Sequence, residues 1–102
     1  MRKALIRYTV KDEYAAENER RIRTVFDQLV REAPNGIHYA SFKLADGVSF
    51  VHLVSTDDGV ETNPLGELSS FKAFTAGVKD RCKSQPVITE LEEIGSFRFF
   101  GQ

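Results

Sequence analysis

Tryptophan is absent from this chain, cysteine and methionine occur once each, and only two histidines and three prolines are spread over 102 residues. The lone cysteine, Cys82, has no partner for an intrachain disulfide, so no disulfide framework supports the fold. Charge of one sign is lacking too: 14 Lys and Arg against 15 Asp and Glu leave a net charge of -1. Nucleic acid and anionic membrane surfaces both demand a basic field, and neither is expected as a partner. No apolar run is long enough for a membrane span or a signal peptide, which makes the cytoplasm the expected location.

What is present is an order of patterns. Residues 3–10 alternate, with Ala4, Ile6 and Tyr8 on one side and Leu5, Arg7 and Thr9 on the other, which reads as a strand. A helix follows from near Asp12, whose carboxylate is suited to capping, with Ile22, Val25, Phe26, Leu29 and Val30 at helical spacing. Pro34-Asn35-Gly36 ends it. The charged run between those apolar positions, Glu17 to Arg23, reads as a solvated helix face.

The clearest local signal is a hairpin. Residues 37–45 and 48–55 flank Asp46-Gly47, a dipeptide suited to the two-residue type I′ turn. Pairing Ala45 with Val48 sets Lys43 opposite Phe50, Ser41 opposite His52 and Tyr39 opposite Val54. The other side carries His38, Ala40, Phe42 and Leu44 with Ser49, Val51, Leu53 and Ser55. Because that second set is the more uniformly apolar, it is expected to face the helices and to leave His52 on the uncovered face. His38 and His52 then stand on opposite faces and cannot share an ion, so no metal site is expected.

A linker over residues 56–68 contains Asn63-Pro64-Leu65, and a second helix from Ser69 or Ser70 buries Phe71, Phe74, Val78 and Cys82. Gly77 is a weak point in that helix worth about 1 kcal/mol. After Pro86, residues 87–100 read as a long last strand bent at Gly95. The order strand, helix, strand, strand, helix, strand predicts a single α+β domain over 1–102: a ferredoxin-like βαββαβ sandwich, four antiparallel strands with two helices on one face.

Such a layer leaves the other sheet face bare, here with Leu5, Ile37, Tyr39, Phe50 and Val54 beside Arg7, Ser41 and His52. That much apolar surface requires a cover. RNA is a poor one. Its recognition strand needs a cation and two stacking rings, whereas Asp46-Gly47-Val48-Ser49-Phe50 offers an acid, a valine and one ring. A second copy of the sheet, or a small molecule held between copies, remains.

Across nearly its whole length the chain resembles the dimeric α/β-barrel superfamily, and within it the antibiotic biosynthesis monooxygenase-like proteins. The resemblance lies in Ile6-Arg7-Tyr8-Thr9-Val10-Lys11, Tyr39-Ala40-Ser41-Phe42, Asp46-Gly47-Val48-Ser49-Phe50-Val51-His52 and Asn63-Pro64-Leu65. It continues in the Phe71, Phe74 and Gly77 spacing, Arg81-Cys82 and Gly95-Ser96-Phe97-Arg98. It implies a homodimer joined through the open sheet faces and a cofactor-free oxygenase that deprotonates a small apolar or phenolic compound so that it can give an electron to dioxygen. A non-catalytic binding or dimerisation domain of the same fold is the alternative. The well-studied members use an asparagine, tryptophan and arginine or histidine set, and the missing tryptophan breaks any positional match.

His52 is the one side chain on the inferred open face with an ordinary pKa near neutrality, which makes it the expected base. Arg7 or Arg98 is the expected stabiliser of the resulting anion. Tyr39, Ser41, Phe50 and Asn63 are expected to line the substrate site.

Overall fold

Each pattern condenses into the element that its period requires. In the computed structural model, which describes residues 2–101, the chain runs β1 (Arg2–Val10), α1 (Ala15–Glu32), β2 (Ile37–Lys43), β3 (Ser49–Thr56), α2 (Ser69–Arg81) and β4 (Cys82–Leu91). The strands form one antiparallel sheet in the order β2-β3-β1-β4, the expected βαββαβ arrangement. Asn18, Ile22, Val25 and Gln28 make the buried stripe of α1, and Phe74, Val78 and Arg81 that of α2. Gln28 also ties the helices together, its Oε1 accepting from the Ser70 amide at 2.9 Å at the start of α2.

Three local expectations are corrected. Asp12 caps nothing; it opens a single 3-10 turn, Asp12–Tyr14, ahead of α1. Asp46-Gly47 does not form a type I′ turn, which would need a positive φ at both residues, and only Gly47 has one, at 79°. Instead the Gly47 amide closes on the Leu44 carbonyl, and the Asp46 carboxylate accepts from the Val48 and Ser49 amides. The hairpin register survives, with Ser41 opposite His52 and Lys43 opposite Phe50. The third correction concerns β4. It starts directly after α2, takes Pro86 into the stretch where its register against β1 shifts between Arg7 and Thr9, and stops at Leu91. An edge strand tolerates proline at such a bulge because no ladder bond is lost there.

The two faces of the β2-β3 hairpin are the reverse of those expected. His52 pairs with Ile6 and lies under both helices, 3% exposed, together with Tyr8 and Phe50. The open face holds Leu5 and Arg7 of β1, as expected, but with Val51 and Leu53 of β3 and His38, Ala40 and Phe42 of β2 in place of the residues expected there. Counting apolar residues misjudged the choice. The rings of Tyr8, Tyr39, Phe50 and His52 bury more area than the smaller residues opposite them, and their few polar atoms bond to one another.

Beyond Leu91 the chain folds back over the open face, where Phe100 stacks on Phe42 with centroids 5.7 Å apart. Large apolar side chains remain in water along this stretch, among them Ile94 and Phe97, and β4 exposes Val87 on one face and Ile88 on the other.

Candidate functional site

The alternation of β1, β2 and β3 sends aromatic rings into the space beneath the helices. Four of them and Phe26 of α1 form a row in the order Phe50, Tyr8, His52, Tyr39 and Phe26, each near parallel to the next with centroids between 5.2 and 5.7 Å apart. Phe74 of α2 closes the row from above, edge-on to His52 at 5.9 Å.

A buried polar chain threads this row. Arg81 Nε donates to Asn18 Oδ1 at 3.2 Å, and Asn18 Nδ2 donates to the Tyr8 hydroxyl at 2.9 Å. Tyr8 Oη lies 2.8 Å from His52 Nε2. On the other side of the imidazole, Nδ1 lies 2.6 Å from Ser41 Oγ and 2.8 Å from Tyr39 Oη. Arg81 also donates to the Phe74 carbonyl and lies 5.2 Å over the Phe74 ring. Its guanidinium occupies space that only a glycine leaves: a Cβ on Gly77 would meet Arg81 Nη1 at 2.8 Å.

Burial sets the protonation of these groups. It holds the His52 imidazole down at about 4, so the ring is neutral at pH 7. It pushes the Tyr39 hydroxyl up to about 12 against a smaller opposing pull from Ser41. Tyr8 is pushed higher still by the same cause, with Asn18 opposing it.

One end of the chain reaches open space. Ser41 lines a groove of about 510 Å³ between α1 and the β2 edge, with Ile22, Phe26 and Phe50 as its apolar walls. Glu19, Arg23, Asp27 and Lys43 also line it. Lys43 and Arg23 both bond the Glu19 carboxylate at 2.8 Å and draw its pKa down to about 2. Among the described residues no group of three or more His, Cys, Asp or Glu is arranged to hold a metal ion.

Of the residues expected from sequence, the fold brings His52, Tyr39, Ser41 and Phe50 together. The others lie elsewhere. Arg7 is exposed on the opposite sheet face, and Asn63 spends its side chain on the Leu65 amide at the start of a 3-10 turn, Pro64–Glu67. Arg98 sits in the C-terminal stretch with a left-handed φ of 49°, its guanidinium 4.8 Å over Phe97. With Arg7 on the opposite sheet face and the Arg98 guanidinium stacked on Phe97, neither arginine is brought to His52 as the expected anion stabiliser. Tyr8, Asn18 and Arg81 were not among the expected site residues. A signal existed for two of them: Asn18 lies 4 and 7 positions before Ile22 and Val25, and Arg81 lies 3 and 7 positions after Val78 and Phe74, so both fall on the apolar stripes of their helices, where a polar residue needs a buried partner.

In comparison with solved structures the fold is similar to that of several proteins described as antibiotic biosynthesis monooxygenases. The chain superimposes on one such enzyme with a TM-score of 0.75 at 14% identity, over 93% of this chain and 100% of the other. A protein of unknown function from Nitrosomonas europaea matches at 0.71 with 16% identity, over 94% and 92% of the two chains. A variant of SnoaB, a cofactor-independent oxygenase from Streptomyces nogalater, matches at 0.67 with 14% identity, over 93% and 94%. No family model and no curated protein matches the sequence.

Proposed function

We propose that the chain is a cofactor-free, monooxygenase-like enzyme that takes a small apolar or phenolic compound into the groove beside Ser41. The observation that carries this reading is the junction of two features. An apolar groove large enough for a one- or two-ring compound meets, at Ser41, a buried polar chain centred on a neutral imidazole. The fold shared with a cofactor-independent oxygenase supports it.

In this chemistry the phenol gives up its proton and the electron-rich anion passes an electron to dioxygen. Recombination puts one oxygen atom on the ring, and the second leaves with two hydrogens as water, so that a phenol ends as a quinone without an external reductant. The protein's part is to hold the ring in a dry site and steady the anion. With a turnover substrate found among small hydroxyaromatics by dioxygen uptake, His52→Ala should slow the reaction about 10²-fold or more, the scale of losing support for an oxyanion. Unchanged uptake would remove His52 from the mechanism. Binding of the same compounds without any uptake would favour the alternative, a non-catalytic small-molecule-binding domain of the same fold.

The same reading includes a homodimer. Its support is the apolar surface that one copy leaves in water: Val87 and Ile88 on the two faces of an edge strand, with Ile94, Phe97, Phe99 and Phe100 following. Sedimentation at micromolar concentration should give twice the chain mass of 11.5 kDa. A monomer at that concentration would overturn the interface.

A further inference from the structure

We infer that the polar chain is a one-way series of hydrogen-bond donors, running from Arg81 through Asn18, Tyr8 and His52 to Ser41 and Tyr39. The groove therefore selects ligands that present an unprotonated oxygen, a phenolate, enolate or carbonyl. The inference rests on the groove being the ligand site, as proposed above, and deepens that reading by naming the ionisation state that is recognised.

The direction follows from counting hydrogens. Arginine has no acceptor, so the Asn18 atom 3.2 Å from Arg81 Nε is the amide oxygen, and the amide NH₂ faces Tyr8. The Tyr8 oxygen thus accepts from Asn18, and its own hydrogen points to its other buried partner, His52 Nε2 at 2.8 Å. A nitrogen that accepts carries no proton. In a neutral imidazole the proton is then on Nδ1, which donates to Ser41 Oγ and Tyr39 Oη.

These two hydroxyls accept from His52 and still own two hydrogens. One bond between them uses at most one. When Tyr39 donates to Ser41, the Ser41 O–H, which lines the groove, is left for an acceptor there. A donor fed by a chain that begins at a permanent cation binds an oxyanion better than a protonated hydroxyl. His52 in this state has no lone pair aimed at the groove. It is a positioning residue that stabilises the anion through Ser41, and the proton of a phenol leaves to solvent rather than to the imidazole.

The test begins on the unliganded full chain. Nitrogen-15 NMR at pH 7 should show His52 with a protonated Nδ1 and a bare Nε2. A proton on Nε2, or a mixture of tautomers, overturns the inference whatever the groove binds. Asn18→Asp should reverse the direction. The carboxylate still accepts from Arg81 but now also accepts from Tyr8, so Tyr8 must take its bond from His52 and the proton moves to Nε2. An unmoved proton in that variant would also overturn the inference.

The ligand class is read with 4-nitrophenol, titrated on either side of its own ionisation, and with 4-nitroanisole as the non-ionisable control. The phenolate should bind at least about tenfold tighter than the phenol, the scale of a charge-assisted bond. Asn18→Asp and Ser41→Ala should each abolish that preference while leaving anisole binding in place. Equal affinity for phenol and phenolate would overturn the selectivity while the groove reading stands. Failure of both compounds to bind would overturn the groove reading and the selectivity with it, and the NMR result would still decide the direction of the chain.

Discussion

Lowering the pH from about 6.5 to about 4 should remove roughly 3 kcal/mol of folding stability, and His52 is the cause. In the unfolded chain its imidazole takes a proton near 6.5, whereas burial among Tyr8, Tyr39 and Phe74 holds it at about 4 in the fold. Within that window the unfolded state binds more protons than the native one. Stability is therefore complete above pH 6.5, falls as the pH drops, and reaches its lower level near pH 4. Urea denaturation at a series of pH values, with a constant slope against urea, measures the effect. His52→Gln, whose amide does not titrate, should start from a lower stability and show no fall in the window. Glu19 and Asp46 are held below the ordinary carboxylate range and withdraw their stabilisation at lower pH, so the histidine is read most cleanly above about pH 5. A flat wild-type profile would mean that His52 is solvated or already charged in the native protein.

Phe50→Ala should cost about 3–5 kcal/mol, as expected for truncating a fully buried aromatic ring. Phe50 is 1% exposed, anchors one end of the ring row through its 5.7 Å stack on Tyr8, and forms part of the groove wall. The truncation removes packing from both the core and the groove, and in a domain of this size the melting temperature should fall by more than about 10 °C. A loss below about 1 kcal/mol would mean that neighbouring side chains collapse into the space, and that the row is less tightly packed than its geometry indicates.

How far the site was legible in the sequence can be judged on particular residues. The Ser41–His52 pairing was readable, because two alternating runs around a short turn admit few registers, and it held even though Asp46-Gly47 formed a different turn. The face on which that pair lies was not. Both sides of the hairpin carry apolar residues, and the choice depended on groups outside it: Tyr8 from β1, Asn18 from α1 and Arg81 from α2, which satisfy the polar atoms that burial of His52 would otherwise strand. Arg7 lies on the open face where the alternation of β1 puts it, and it is His52 that left that face; Arg98 and Asn63 were attractive by residue type alone, and nothing local in the chain could stack the one on Phe97 or commit the other to the Leu65 amide.

The sequence by itself determined the order of elements, the antiparallel hairpin and its register, and the absence of a disulfide, because each of these depends on residues close in the chain or on composition. Tertiary structure alone decided which sheet face is buried, where β4 begins, and which polar groups become one chain. A hydrogen bond between Asn18 and Arg81 joins residues 63 positions apart. No period or local propensity encodes such a pairing, and its formation makes it favourable to bury a histidine that hydropathy assigns to solvent.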